Sequence, residues 1–321
     1  MLHDDTPGTI MEKGVWGHDQ FLLEDQIIKP AQWVSISSRT FKAVSMSYNN
    51  LTAGCWSITR DNNDGKPVFM LKEIKTDDIM HFADSMSDKM IKEMSEFWDS
   101  EEKFKKHGVL QRRGYLLYGP QGTGKSSIVH LVINDTVRRG GLVFICDNPK
   151  FFAEGLAVAR QVEPKRPFVC IYEDIDAIIK RYGEDQLLAL LDGADKIDRV
   201  LNIATTNYPE VLDKRIISRP RRFDRVYKIP VPTAAVREAF LKAKLPSGTN
   251  VKKWTKDTDG LSFAALTELI VSVFCLGNKP RDTIKILKDM EKGHPSSNDF
   301  GTARDPVGFT GTGMSDNDDE I

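Results

Sequence analysis

The residues whose spacing most specifically indicates chemistry form a glycine-rich run at positions 119–126 of the 321-residue chain. The run is Gly-Pro-Gln-Gly-Thr-Gly-Lys-Ser, which satisfies the pattern G-x-x-x-x-G-K-[ST]. A predicted strand, 115–118, precedes it and a predicted helix, 126–137, follows it. Glycines let the backbone wrap around phosphate oxygens, and the positive end of the helix then faces the anion. The flanking elements favour a phosphate-binding loop over a chance glycine-rich turn.

Two side chains at the end of this loop have predicted roles in phosphate chemistry. We expect Lys125 to contact the β- and γ-phosphates of a nucleotide, and the Ser126 hydroxyl to ligate Mg²⁺. The predicted nucleotide-binding residues of the loop are Gly119, Pro120, Gln121, Gly122, Thr123, Gly124, Lys125, Ser126 and Ser127.

A second set of candidate residues is acidic and directly follows an apolar segment, 168–172. It consists of Glu173, Asp174 and Asp176. Acidic residues often end strands, so the pattern is not specific by itself, but the upstream phosphate-binding loop favours a functional role. Carboxylates beside such a loop hold hydrated Mg²⁺ and orient the attacking water.

These residues must be positioned by an alternation of apolar strands and helices, which is typical of a parallel α/β sheet. Runs this apolar fit strands that are covered on both faces. The predicted strands are 115–118, 142–146, 168–172, 200–205 and 226–231. Helices are predicted at 234–244, 263–276 and 281–291, with Ser262 as an N-cap and Gly277 closing the second of them. Upstream, short strands are predicted at 42–48, 54–60 and 67–74, with a turn signal at 62–65.

Composition limits the classes of partner. The formal net charge is −1, with 40% hydrophobic and 28% charged residues, so nucleic acid is an unlikely partner. The N-terminus does not resemble a signal peptide, and no apolar stretch approaches the ~20 residues of a membrane helix. The four cysteines are scattered without metal-type spacing. We therefore predict a cytoplasmic protein without a membrane partner.

Residues 108–290 resemble one module of the AAA-type ATPases. Gly108-Val109 is similar to the element whose backbone reads adenine in that family, and 204–207 (Ala-Thr-Thr-Asn) is similar to sensor 1. The resemblance implies ATP and Mg²⁺ as cofactors, and it implies that Asn207 helps to position the lytic water.

The segment 218–225 resembles the R-P-G-R-F-D-R signature of the same family. The resemblance implies arginine fingers at Arg219 and Arg222, although an ordinary surface or a phosphate-binding patch is the alternative. An arginine supplied by a neighbour neutralises charge that develops on the γ-phosphoryl group. A site completed in this way requires a homo-oligomer, and head-to-tail contacts that close form a ring, which we expect to be hexamer- or heptamer-like.

The acidic pair departs from the family pattern, because Glu173-Asp174 stands where Asp-Glu is usual. A reversed pair resembles the subgroup of mitochondrial respiratory complex III assembly ATPases, here without their membrane-anchored N-terminal region. By register, Glu173 would serve the metal and Asp174 would polarise water.

Two further segments depart from the family. The position of the aromatic pore loop of protein-threading relatives is occupied by 147–155, where Phe151-Phe152 is either a modified pore loop or, as we favour, packed under a short helix. The segment 262–266 is Ser-Phe-Ala-Ala-Leu where the family has S-G-A-D-L, so no second sensor arginine is expected there.

Residue patterns predict a β-rich client or adaptor module at 1–80, a linker helix at 81–107 and a disordered acidic tail at 293–321. Between them, the resemblance implies an α/β ATPase core at 108–232 and a helical lid at 233–292. It implies a ring-forming ATPase or chaperone that remodels an unknown protein client. A nucleic-acid ATPase of the replication-loader type and a non-hydrolysing, ATP-switched scaffold remain as alternatives.

Overall fold

The computed structural model describes residues 32–37, 40–44, 47–62, 64–73, 86–194, 197–217 and 222–292. The chain divides into two compact units, Met1–Leu51 and Thr52–Ile321. In the first unit, strand β1 (Gln32–Ser37) pairs antiparallel with β2 (Thr40–Val44). Residues 1–31 of the predicted N-terminal module, the junction at 74–85 between that module and the predicted linker helix, and the predicted acidic tail lie outside the described residues.

The second unit is built on a seven-stranded sheet. Its strands are β3 (Gly54–Arg60), β4 (Pro67–Lys72), β5 (Arg112–Tyr118), β6 (Leu142–Ile145), β7 (Phe168–Tyr172), β8 (Val200–Thr206) and β9 (Arg225–Lys228). The spatial order is β4-β3-β6-β7-β8-β5-β9, and only β3 and β4 pair antiparallel. The predicted α/β fold with a parallel sheet is therefore confirmed.

Helices connect and follow these strands. They are α1 (Met86–Trp98), α2 (Glu101–Lys106), α3 (Lys125–Arg138), α4 (Pro149–Val162), α5 (Ile175–Tyr182), α6 (Glu184–Ala194), α7 (Lys214–Ile217), α8 (Ala234–Lys244), α9 (Val251–Asp257), α10 (Phe263–Ile270) and α11 (Pro280–Lys292). A short 3₁₀ turn at Pro209–Val211 precedes α7, and a π-helical segment at Val271–Cys275 continues α10. In the described part of the chain, no helix is long and apolar enough to span a membrane.

The position of β3 and β4 corrects the prediction of one β-rich module over 1–80. The hairpin itself forms as predicted, with Arg60 opposite Pro67. However, β3 also pairs with β6 in parallel, which makes the hairpin an extension of the central sheet. Helix α4 packs tightly on it, since a Cβ added to Gly155 would lie 2.3 Å from Cγ2 of the buried Ile58. Burial against α4 and β6 stabilises the hairpin where it lies.

Helices cover both faces of the sheet. On one face, α1 and α3 contribute buried side chains such as Met90, Met94 and Val132 to a core shared with Val169 and Leu201 of the strands. Helices α4, α5 and α6 pack on the other face. This sandwich explains why the central strands are apolar on both sides.

The helices after β9 form their own apolar cluster. Its buried members are Phe240, Leu241, Leu261, Ala265, Leu266, Leu269 and Leu287. Ser262 caps α10 as predicted, because its hydroxyl accepts a hydrogen bond from the Ala265 N–H at 3.2 Å. The predicted helix at 263–276 ends before Gly277, whose φ of +73° suits glycine.

Candidate active site

The glycine-rich loop connects β5 to α3 at the carboxyl edge of the parallel strands. Gly122 and Gly124 have φ values of +70° and +98°, a region that residues with a Cβ rarely adopt. Ser126 and Ser127 are exposed in the first turn of α3. The Thr123 side chain faces inward, where its hydroxyl donates to the Pro120 carbonyl at 2.9 Å. This is the strand–loop–helix geometry expected for phosphate binding.

Lys125 lies within the loop rather than on the surface, with 7% of the residue exposed. Its Nζ donates to the carbonyl oxygens of Gly119 and Pro120, at 2.7 Å each. Burial lowers the pKa of this amine, while the negative charges of Asp174 and Asp176 oppose that effect. The structure therefore brings the predicted lysine and the predicted acids together.

The acids lie in a turn between β7 and α5. Glu173 and Asp174 are both exposed, and Asp174 has φ 46° and ψ 58°, the left-handed region. Although the residue as a whole is exposed, partial burial of its carboxyl group raises the pKa of Glu173. Nearby His130 opposes this rise, and the charge of Asp174 adds to it.

The neighbouring strand β8 contributes polar groups to the same edge. It pairs with β7 in parallel, with Tyr172 opposite Ala204. As a result, Thr205 and Thr206 lie beside the acid turn, and half-buried Asn207 follows them, where the predicted sensor would lie. Sequence reasoning missed the two threonine hydroxyls; the available signal was a pair of hydroxyl residues ending an otherwise apolar strand.

The oxygen donors at this edge fit the chemistry of Mg²⁺. The cation prefers oxygen ligands and is usually held by one or two carboxylates together with substrate phosphates. Ser126 and Glu173, the predicted metal ligands, supply a hydroxyl and a carboxylate.

The start of α10 contacts the loop directly. The Ala264 N–H donates to the Gly122 carbonyl at 3.3 Å. The Phe263 ring lies 3.5 Å from the position that a Cβ on Gly124 would occupy. The segment 262–266 contains small residues and one aromatic ring, and these make the contact with the loop.

The predicted adenine-reading pair follows α2. Gly108 has φ +63°, and the Val109 side chain is 52% exposed. An exposed apolar side chain suits contact with a base, and the role of this pair stays a prediction.

The arginine-rich segment is only partly described. Arg219 lies in the segment 218–221, outside the described residues. Arg222 is 3% exposed, and its Nε and Nη2 donate to the two Asp192 carboxylate oxygens at 3.0 and 2.9 Å. Its Nη1 donates to the Arg215 carbonyl at 2.7 Å. The guanidinium is thus engaged within its own subunit, and the role of Arg222 as an arginine finger stays a prediction.

The end of this segment is anchored to β5. The Asp224 carboxylate accepts the Gly114 N–H at 3.0 Å, and the Asp224 N–H donates to the Gly114 carbonyl at 2.9 Å. A Cβ on Gly114 would lie 1.9 Å from the Arg222 carbonyl oxygen. Asp224 of the motif therefore anchors this segment to β5.

We expect Arg222→Ala to lower the free energy of unfolding by about 2–3 kcal/mol, because it removes a bidentate ion pair whose arginine is buried. Urea denaturation measures the loss. Asp192→Ala in the Arg222→Ala background should cost little more, since the pair is already broken. Arg281→Ala, an exposed change on α11, is the control. An Arg222→Ala protein of wild-type stability would contradict the expectation.

Phe151 and Phe152 both lie in α4. Phe152 is buried and packs edge-to-face on Tyr172, with ring centroids 5.7 Å apart. Phe151 lies beneath the Arg60 guanidinium, 4.5 Å from its ring centroid. The packing interpretation is confirmed for Phe152, and both rings are engaged within the subunit.

Comparison with known proteins agrees with this geometry. Residues 115–231 match the family described as "ATPase family associated with various cellular activities (AAA)". The proteasome-activating nucleotidase of Methanocella arvoryzae is 33% identical over 211 residues, which cover 57% of this chain and 49% of that protein. The ATP-dependent zinc metalloprotease FtsH of Lancefieldella parvula is 32% identical over 229 residues, which cover 62% of this chain and 35% of that protein. The chain thus spans half or less of the length of these relatives. The matches and the site together support ATP hydrolysis.

Proposed function

Because residues 115–231 match the AAA family of ATPases, we propose that this protein hydrolyses ATP in a ring of its own copies and thereby remodels a protein client. The observation that carries the proposal is the sheet topology: β5 and β7 both pair in parallel with β8, so Lys125 after β5 and Asp174 and Asp176 after β7 lie at the same edge of the sheet, beside a loop shaped for phosphate. Such an arrangement can bind a triphosphate and orient a water for attack on it.

In this proposal the roles divide among the elements that meet at the sheet edge. The loop 119–127 binds the phosphates, and Lys125 exchanges its contacts with loop carbonyls for phosphate oxygens. Ser126 and Glu173 would hold Mg²⁺, which supplies charge neutralisation at the phosphate oxygens when bound. Asp174 polarises the attacking water, and Asn207 helps to position it.

The proposal that the protein forms a ring comes from the arginine-rich segment 218–225, which resembles one that supplies an arginine to a neighbouring subunit. With Arg222 paired to Asp192, Arg219 is the residue that we propose as the finger supplied to the neighbouring subunit. A site completed by a neighbour has no activity in an isolated chain, so activity should depend on assembly. A hexamer- or heptamer-like ring remains our proposal.

Coupling to a client is proposed through the lid. The contact between Ala264 and Gly122 links α10 to the phosphate-binding loop, so a change in the loop can alter the lid angle. The relatives named above are called proteasome-activating and protease, which supports a protein as the client here. The first 51 residues, a separate compact unit, are proposed as the client-binding part.

Two finer assignments are hypotheses. Resemblance to the complex III assembly subgroup rests on the order Glu173-Asp174 alone. A cytoplasmic location is proposed from the four free cysteines, which suit a reducing compartment.

The testing experiment is steady-state phosphate release as a function of protein concentration, with light scattering to measure assembly size. We expect specific activity to rise cooperatively as rings form. Binding of ATP without turnover at every concentration would contradict the proposal and favour the scaffold alternative. Stimulation by single-stranded DNA, lost at high salt, would favour the nucleic-acid alternative.

A further inference from the structure

Two buried hydroxyl groups end strand β8, and both are hydrogen-bonded to acidic residues at the start of α5. Thr205 is 3% exposed and Thr206 is fully buried. A hydroxyl removed from water is costly unless it is hydrogen-bonded, so its partners show what it stabilises. The partner of Thr205 lies in the turn between β7 and α5, and the partner of Thr206 lies in the first turn of α5, each about thirty residues earlier in the chain.

Thr205 bonds the backbone of Asp174. Its Oγ1 accepts the Asp174 N–H at 3.0 Å. Asp174 has the left-handed φ of 46°, which residues with a Cβ adopt only where the surroundings enforce it. Within α5, the Ala177 and Ile178 N–H groups donate to the Asp174 carbonyl and so fix the other side of the residue. Thr205 accepts the hydrogen bond from the Asp174 N–H, on the side of Asp174 that faces β7 along the chain.

Thr206 bonds Asp176, in the first turn of α5. Its hydroxyl donates to Asp176 Oδ1 at 2.6 Å and accepts the Tyr208 N–H at 3.0 Å. The start of α5, from its N-cap Asp174 to Asp176, is therefore hydrogen-bonded to the end of β8 at two points. Because Asn207 directly follows these threonines, one strand end positions the acids and the predicted sensor together.

We propose that Thr205 is a positioning residue for ATP hydrolysis: by accepting the Asp174 N–H it holds the strained turn that directs the Asp174 carboxylate at the attacking water. The inference rests on the proposed role of Asp174. Aspartate is one methylene shorter than glutamate, so its carboxylate follows its backbone closely and cannot compensate for a displaced turn. Loss of the hydrogen bond from Asp174 N–H to Thr205 should therefore lower activity more with aspartate at position 174 than it would with glutamate there.

The test compares Thr205→Val with Thr205→Ser. Valine keeps the shape of threonine and leaves the Asp174 N–H without its acceptor, whereas serine keeps the hydroxyl. We expect Thr205→Val to lower kcat about 10- to 100-fold, the size of effect that small misplacements of reacting groups cause. KM for ATP should stay within about twofold of wild type, because phosphate binding depends on the loop rather than on the turn. Thr205→Ser should retain a kcat close to wild type.

Thr136→Val is the matched control. Thr136 is also buried, and its hydroxyl donates to the Val132 carbonyl within α3, away from the turn. It measures the general cost of removing a buried hydroxyl, and we expect kcat to be unchanged. If Thr205→Val does not fold, Thr205→Ser and Thr205→Ala form a second pair that differs only in the hydroxyl, and the serine variant should be the more active.

Equal kcat in the hydroxyl-bearing and hydroxyl-lacking variants would overturn the inference. Asp174→Asn, measured beside them, tests the proposed role of Asp174 separately from that of Thr205. If Asp174→Asn is inactive and Thr205→Val matches wild type, only the role of Thr205 fails. If Asp174→Asn itself remains active, the proposed role of Asp174 fails, and the inference fails with it.

Discussion

Asp174→Asn is expected to lower kcat for ATP hydrolysis about 10²- to 10⁴-fold, the range in which a general base contributes. Asparagine has nearly the same size as aspartate but carries no negative charge, so it cannot polarise the attacking water. The affinity for ATP should change little, because Lys125 and the loop 119–127 remain intact. Phosphate release measures the rate, and a fluorescent ATP analogue measures binding.

Glu173→Gln distinguishes the two acids. If Glu173 serves the metal, this variant should require more Mg²⁺ for half-maximal activity, and excess Mg²⁺ should restore part of the rate. Asp257→Asn, an exposed change on α9, is the control for loss of one negative charge. An active Asp174→Asn protein together with a Glu173→Gln protein that no Mg²⁺ concentration restores would mean that the two roles are exchanged.

Arg219→Ala is expected to lower kcat by about 10³- to 10⁵-fold, the effect of an arginine that neutralises charge on the transferred phosphoryl group. The same variant mixed with Asp174→Asn should regain activity. In a randomly mixed ring, roughly one quarter of the interfaces combine an intact Asp174 with an intact Arg219 from the neighbour, as head-to-tail geometry requires. Measurement of phosphate release across mixing ratios tests this expectation.

The urea midpoint of unfolding should distinguish the Arg219→Ala variant from the Arg222→Ala variant. Arg219→Ala should leave the urea midpoint unchanged, whereas Arg222→Ala should lower it through loss of the pair with Asp192. The mixture of Arg219→Ala and Asp174→Asn should be more active than the sum of the two separate proteins. If it is not, in rings shown to exchange subunits, Arg219 lies outside the shared site. If ATPase activity is instead restored by mixing Asp174→Asn with Arg222→Ala, Arg222 is the arginine finger. Its ion pair with Asp192 would then have to open in the ring.

The sequence by itself determined the local features of this protein. The bounds of β3, β7 and α8 were predicted to the residue, and the phosphate-binding loop was predicted with its flanking strand and helix. The physical reason is that these features depend on neighbours in the chain. Apolar runs form buried strands, glycines permit left-handed turns, and residues four apart share a helix face.

Tertiary structure alone decided which distant groups meet. Periodicity showed that the hairpin of β3 and β4 would form, but only its pairing with β6 placed it in the central sheet. Sequence pattern could not show that Arg222 is buried in an ion pair within the subunit, because its partner Asp192 lies on α6, thirty residues earlier in the chain. The bond from Thr205 to Asp174 likewise required β7 and β8 to be neighbours in a defined register. Sequence pattern predicts that a side chain is buried, whereas its partner depends on how the strands and helices are arranged in space.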